Sequence, residues 1–220
     1  MLLKINNLYK SFGSNQIFEN FNLSIKQGDL VVIKGNNGCG KSTLFNLICG
    51  STILDSGSIF FDGHDIKSLK SYQISRLGVA RTFQNGGLLL ELTVMENVLL
   101  TLESQSNSKW FKRFLPINYS KHKNIIHDLL ASINLQQHQN SLSSSLSTGQ
   151  LRLLELKKLQ LQNAKLYLID EPTAGVNESM YPKILELIQQ LNQKSAVIII
   201  EHNLEFIKSL NCKEYSISTK

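Results

Sequence analysis

The sequence predicts an α/β fold with a mixed, mainly parallel sheet, an antiparallel β piece ahead of it and an inserted helical lobe. Three observations carry this prediction. The apolar run Leu30-Val31-Val32-Ile33 leads through Gly35-Asn36-Asn37-Gly38-Cys39-Gly40-Lys41-Ser42-Thr43 into Leu44-Phe45-Asn46-Leu47-Ile48, which reads as strand, glycine-rich loop, helix. The runs Leu166-Tyr167-Leu168-Ile169 and Ala196-Val197-Ile198-Ile199-Ile200 are apolar without alternation, the pattern of strands buried on both faces. From Leu92 the periodicity turns helical, with Val94, Val98 and Leu102 at helical spacing, and runs with interruption to about Leu135, opening a lobe that closes with a Leu-rich helix through Leu161.

The loop has the spacing G-x-x-x-x-G-K-S, and each fixed position has a physical task. Glycines let backbone N–H groups curl around phosphate oxygens, and the following helix presents its positive end. Lys41 then pairs with β/γ-phosphates and Ser42 ligates Mg2+. A plain Gly/Asn-rich turn is the competing reading, and the strand-to-helix context weighs against it.

Composition bounds the function classes. At 220 residues, 42% hydrophobic and 18% charged, the chain suits one globular domain with an inserted lobe and is not disordered. The net charge of +6 comes from scattered lysines, so it reads as solvated surface, and no nucleic-acid partner is expected. Cys39, Cys49 and Cys212 have neither zinc-ligand nor disulfide spacing, which points to a reduced compartment. No apolar run approaches the ~18 residues of a membrane span, so the chain is not expected to be a channel itself.

In chain order, Leu3, Ile5 and Leu8, then Phe18, Phe21, Leu23 and Ile25, alternate as an antiparallel hairpin turning at Ser11-Phe12-Gly13-Ser14-Asn15. Phe12 at the tip can stack on adenine or plug the hairpin, and the residues alone leave both open. Short strands follow between Gly57 and Gly63 and over Gly78-Val79-Ala80-Arg81-Thr82-Phe83. The second ends at Gln84, whose amide can reach a metal or its water, or belong to an ordinary loop. Lys109-Trp110-Phe111-Lys112-Arg113-Phe114-Leu115-Pro116 mixes cations and aromatics; an aromatic cluster docked on its own lobe is favoured over a membrane-surface contact. Ser141 to Ser145 is a serine-rich linker. After it, in Leu146-Ser147-Thr148-Gly149-Gln150, Ser147 or Thr148 caps a Leu-rich helix whose N-terminus also suits an anion. The run from Leu166 ends in adjacent carboxylates at the rim where open α/β sheets bind ligands: Asp170 suits Mg2+ and Glu171 suits a catalytic base. The last buried run ends at Glu201-His202, and its place at the same rim makes His202 a site candidate.

These motifs stand in the order and spacing of ABC ATPases, and the chain resembles that family of P-loop NTPases from end to end. More narrowly, Ala80-Arg81-Thr82-Phe83-Gln84-Asn85, Glu91-Leu92-Thr93-Val94-Met95-Glu96-Asn97-Val98 and Ala174-Gly175-Val176-Asn177 are similar to the ATP-binding subunits of branched-chain amino-acid-type importers. The lipopolysaccharide-export ATPase is a near relative. The resemblance implies ATP and Mg2+ as ligands. It implies that Phe12 stacks adenine, that Gly35, Asn36, Asn37, Gly38, Cys39, Gly40, Lys41, Ser42 and Thr43 cradle phosphate, and that Ser42, Gln84 and Asp170 serve the metal. It further implies that Glu171 polarises the attacking water, Gln84 senses metal and water, and His202 contacts the γ-phosphate. It also implies that Ser147, Gly149 and Gln150 reach the nucleotide of a second ABC ATPase subunit in a head-to-tail homo- or heterodimer. The implied work is ATP hydrolysis coupled to substrate movement by separate transmembrane permease subunits, from the cytoplasmic side of the membrane.

Residues 1–91 and 162–220 are expected to form a RecA-like core with the β piece, and residues 92–161 the helical lobe with the signature pentapeptide. Asn177 stands where many ABC ATPases carry Asp, although the importer subfamily that the chain resembles often has Asn. Relatives usually continue past Glu214-Tyr215-Ser216-Ile217-Ser218 into a glycine-containing hairpin, which leaves this edge strand less protected. The apolar run in Gly86-Gly87-Leu88-Leu89-Leu90 asks for a partner, and the resemblance implies a groove here that receives a membrane-subunit helix; the competing reading is that these leucines anchor the loop in the lobe's own core. The alternatives are a soluble ABC ATPase without a pore and a nucleotide-dependent scaffold. Relatives of the first kind usually carry long insertions or tandem halves, and intact Glu171 and His202 disfavour the second.

Overall fold

The computed structural model describes residues 1–82, 87–105 and 119–217. The alternating residues of the first segment form β1 (Leu3–Phe12) and β2 (Asn15–Ile25), an antiparallel hairpin pairing Leu3 with Ile25 and Phe12 with Asn15. Leu3, Ile5, Leu8, Phe18, Leu23 and Ile25 are buried, so one face of the hairpin belongs to the core. The chain continues through β3 (Leu30–Lys34), α1 (Lys41–Ile48), β4 (Ser56–Phe61), β5 (His64–Asp65), α2 (Ser71–Leu77) and β6 (Val79–Arg81). Among the described residues, the α-helices α3 (Val94–Gln105), α4 (Tyr119–Ser132) and α5 (Thr148–Leu161) follow. The chain then returns through β7 (Leu166–Asp170), α6 (Tyr181–Asn192), β8 (Ala196–Ile200), α7 (Leu204–Ser209) and β9 (Lys213–Ser216).

Two sheets result. One has the order β2-β1-β4-β5 and is antiparallel; the other, β6-β7-β8-β3-β9, is parallel throughout. The expected α/β architecture is present with a finer division, because β4 pairs with β1, Leu3 opposite Phe61, and not with the parallel sheet. Every residue of β7 and β8 is buried, as their unbroken apolar composition requires.

The chain divides into two compact units. The first, Met1–Thr82, Ala164–Ala174 and Ile188–Lys220, contains both sheets. Its core joins Leu3, Ile5 and Phe61 of the antiparallel sheet, Phe45 and Ile48 of α1, and Val31, Ile33, Leu168 and Ile198 of the parallel sheet. β9 runs along the edge of the parallel sheet, where Lys213 and Glu214 are exposed and paired with Asp29 and Lys34, each at 2.6 Å. Charged side chains therefore guard the edge whose protection the sequence left open.

The second unit, Phe83–Asn163 and Gly175–Leu187, is wider than the lobe expected over residues 92–161. The physical reason is packing across the chain: a Cβ at Gly149 would lie 3.3 Å from Met180 Cγ and 3.5 Å from Val176 Cγ1, so these residues belong with the start of α5. α3 opens with a capping box, in which Thr93 N donates to Glu96 Oε2 at 2.8 Å and Glu96 N donates to Thr93 Oγ1 at 3.2 Å. Asn97, fully buried, donates to the carbonyls of Leu89 and Thr93 and to Ser143 Oγ, and accepts from Leu89 N. This anchor fixes the backbone at Leu89, and the three leucines part company: Leu88 is buried, while Leu89 and Leu90 are 57% and 48% exposed. The expectation of an outward leucine holds for the last two and fails for Leu88, which packs inward. On α5, Lys158 donates to Gly87 O at 2.7 Å, and burial pulls its ammonium down to about 8. The segment Lys109 to Pro116 lies outside the described residues.

Gly57 has φ 97, and a Cβ there would collide with the carbonyl oxygens of Asn7 and Asn6, the latter at 2.7 Å. Gly57→Ala should therefore lower the unfolding free energy by more than about 2 kcal/mol, read from denaturant melts. An unchanged midpoint would mean that β1 can move aside.

Candidate functional site

The loop between β3 and α1 is shaped by what presses on it. Gly40 has φ 101, and a Cβ there would collide with Ile17 Cγ2 and meet Phe18 Cζ at 3.1 Å, so β2 packs directly against the loop. α1 starts without a side-chain cap, which suits an anion at its first turn. Lys41 is buried, and its Nζ donates to the carbonyls of Gly35 and Asn36, both at 2.9 Å. The ammonium is thus held within the curl of the loop. Cys39 is buried beneath it, and Ser42 follows in the first turn of α1.

At the hairpin tip Phe12 is 51% exposed, so it does not plug the hairpin. Lys10 Nζ sits 5.0 Å from its ring centroid, and Asp55 holds the tip by accepting from Lys10 Nζ and Ser11 N at 2.7 Å each.

The register of the parallel sheet brings the acids to the same rim. Ile200 of β8 pairs with Ile33 of β3 on one side and with Asp170 of β7 on the other. The loop from Gly35, the turn at Glu201-His202 and Glu171 therefore all leave the sheet at its C-terminal rim, where open α/β sheets take ligands. The Asp170 side chain is fully buried, with Arg81 Nη2 3.4 Å from its Oδ2 and Asp170 N donating to Thr82 Oγ1 at 2.8 Å. Arg81 also donates from Nη1 to Asn46 Oδ1 at 2.6 Å and lies 5.3 Å from the Phe45 ring centroid, while its Nε is buried without a hydrogen bond. An unsatisfied buried donor costs about 1–3 kcal/mol, so the side chain is held there by its other contacts. Burial also raises the Cys49 thiol, and the Arg81 guanidinium opposes that rise.

Glu171 adopts φ 46, a left-handed conformation uncommon for this residue type, and its N donates to Ile200 O at 2.8 Å. That turn sets Glu171 Oε1 3.7 Å from His202 Nε2, with both side chains about two-fifths exposed. Glu201 ties the two turns together. Its Oε1 accepts from His202 N and Asn203 N at 2.7 and 3.0 Å, and its Oε2 accepts from Thr173 N and Oγ1 at 3.2 and 2.8 Å.

The second unit holds the signature residues. Ser147 caps α5 in a capping box: Gln150 N donates to Ser147 Oγ at 3.3 Å, and Ser147 N donates to Gln150 Oε1 at 2.9 Å. Gly149 is buried among Val176 and Met180. Asn177 caps a short 3-10 turn, its Oδ1 accepting from Ser179 N at 2.9 Å, a task an Asp carboxylate performs equally. Gln84 lies outside the described residues.

Ser42 and Asp170 offer a hydroxyl and a carboxylate, the oxygen donors a small hard cation such as Mg2+ takes together with phosphate and water. Among the described residues no group of three His, Cys, Asp or Glu gathers to hold a metal by protein ligands alone, and a Mg2+ shared with phosphate needs none. Arg81, Thr82 and Glu201 were not anticipated as site residues. The available signal was a polar or charged residue at the end of a strand neighbouring the one that ends in Asp170.

Residues 18–174 match the family model described as ABC transporter. A probable branched-chain amino acid transport ATP-binding protein, LivG, of Archaeoglobus fulgidus is 32% identical, over 94% of this chain and 81% of its own length. The high-affinity branched-chain amino acid transport ATP-binding protein LivG of Escherichia coli is 30% identical, over 99% of this chain and 88% of its own. The solved ADP conformation of an ATP-binding cassette of an ABC transporter superposes with a TM-score of 0.83 at 29% identity, covering 98% of this chain and 87% of that one.

Glu201→Gln keeps the volume but turns an amide NH2 toward N–H donors on one side. It should cost about 2 kcal/mol of stability and lower ATP turnover by displacing His202. Denaturation and steady-state assays together check this, and a variant equal to wild type in both would remove Glu201 from that role.

Proposed function

Because this chain belongs to the ABC transporter family, as an ATP-binding, ATP-hydrolysing subunit, we propose that the rim carrying Lys41, Asp170, Glu171 and His202 is its hydrolytic site. The observation behind this reading is the row Ile33, Ile200, Asp170, which delivers the phosphate loop and the acids to one rim. Phe12 stacks on adenine, and the loop from Gly35 to Thr43 cradles the phosphates. Lys41 exchanges its two carbonyl partners for β/γ-phosphate oxygens, a charge-assisted and stronger pairing. Glu171 orients water and accepts its proton, and His202 beside it contacts the γ-phosphate. Ser42 and Asp170 hold Mg2+, which supplies neutralisation of phosphate charge when bound; Gln84 belongs to this group by resemblance. Positioning and charge supply most of the rate.

In the same reading, Ser147, Gly149 and Gln150 serve a nucleotide held by a second ABC ATPase subunit. Transmembrane permease subunits move the substrate, and the chain works from the cytoplasmic face as a peripheral subunit. No helix among the described residues is long and apolar enough to cross a membrane, which is consistent with a division of labour between chains. The names of the Archaeoglobus and Escherichia relatives support branched-chain amino-acid transport as the transport class. Leu89 and Leu90, turned outward by the Asn97 anchor, are the leucines offered to the permease.

Glu171→Gln should retain ATP binding and lower turnover by at least about 100-fold, accumulating an ATP-held dimer on size-exclusion chromatography with Mg·ATP. Turnover at the wild-type rate would remove Glu171 as the base. Lys41→Ala should raise the nucleotide Kd at least about tenfold, measured by equilibrium binding, and an unaltered Kd would count against the loop as the phosphate site. Leu89→Asp or Leu90→Asp should weaken co-purification with the permease while the domain still binds ATP, whereas Leu88→Asp should destabilise the fold itself. Full permease association in both outward variants would end the docking assignment.

A further inference from the structure

We propose that Arg81 is a positioning residue for the metal side of this site, a clamp that sets the spacing between Ser42 and Asp170. The inference rests on reading those two residues as the Mg2+ ligands. Arg81 is the last residue of β6, and its guanidinium reaches two different elements with two different nitrogens. Nη1 donates to Asn46 Oδ1 at 2.6 Å, and Nη2 lies 3.4 Å from Asp170 Oδ2. Asn46 stands four residues after Ser42 on α1, one helical turn along the same face. The clamp therefore joins the helix that carries the hydroxyl to the strand that carries the carboxylate.

The surroundings restrict the guanidinium to this position. Its side chain is 11% exposed, the Phe45 ring lies 5.3 Å from its centre, and Thr82 binds the Asp170 and Leu168 backbone immediately beside it. The contact to Asp170 is a single one, from Nη2 to Oδ2 at 3.4 Å, so it bears on how that carboxylate is oriented. The guanidinium meets the two acceptors with two nitrogens held at a fixed spacing in one plane, whereas a lysine in this place has the charge but directs all its donors from one nitrogen.

The test separates metal from nucleotide. Binding of a fluorescent N-methylanthraniloyl ATP analogue is measured in EDTA and across a Mg2+ titration for wild type, Arg81→Lys, Arg81→Gln and Asn46→Ala. In EDTA, all four should bind alike. The half-saturating Mg2+ concentration should rise about 10–100-fold in both Arg81 variants, the range seen when a ligand's supporting partner is removed. Asn46→Ala should move it in the same direction, and combining it with Arg81→Gln should add little, since both remove one clamp. An unmoved Mg2+ midpoint, rescue by lysine, or an equal loss of affinity in EDTA would overturn the clamp. If the Arg81 variants do not fold, Asn46→Ala decides alone, because it opens the clamp without stranding a charge. A wild-type protein whose nucleotide binding is indifferent to Mg2+ would instead defeat the reading of Ser42 and Asp170 on which the clamp rests.

Discussion

Everything at the candidate site depends on β8 lying between β3 and β7 in one register. Parallel pairing aligns Ile33, Ile200 and Asp170, so the polar residues that follow three separate apolar runs emerge together. A slip of one residue would exchange the two faces of β7 and carry Asp170 away from Arg81. The carboxylate of Glu201 then secures what the ladder begins, because one buried group accepts from donors after β7 and after β8. Backbone pairing brings the strand ends together, and a single anion fixes how the turns leave them.

The same device recurs in the second unit with a neutral group. Asn97 occupies a fully buried position and spends its amide on the backbone of Leu89, the carbonyl of Thr93 and the hydroxyl of Ser143. Both units therefore use a satisfied buried polar side chain to hold an otherwise irregular segment, where an apolar residue of like size would leave the segment's N–H and C=O groups without partners.

Local patterns were legible in the sequence and long-range partners were not. The strand, loop and helix around Lys41 are contiguous, so spacing alone defines them, and the buried run ending in Asp170 and Glu171 announces itself by its abrupt change of polarity. Ser147 as a cap follows from a four-residue motif. By contrast, β4 joins β1 through a pairing that spans some fifty residues, for which the glycine at position 57 was the only local sign. Leu88, Leu89 and Leu90 are chemically identical, and only the distant Asn97 anchor separates the inward residue from the outward two. Arg81 and Glu201 act through partners on other elements, and no periodicity encodes a side chain's partner. The inclusion of Gly175–Leu187 in the helical unit likewise arises from packing at Gly149.

Among the described non-glycine residues with positive φ, Asn7, Asn20, Asp62, Asn134, Asn163 and Asn211 are of the types that tolerate it, and Glu171 alone is not. At these described positions the left-handed turns are thus taken by short polar side chains except at the proposed base, where a longer carboxylate stands 3.7 Å from His202 Nε2. Selection for folding stability alone would replace this residue with Asn or Gly, and optimisation of thermostability by backbone compatibility would do the same. Position 171 is therefore where an evolutionary or engineering search that scores only the folded state would erase the function first.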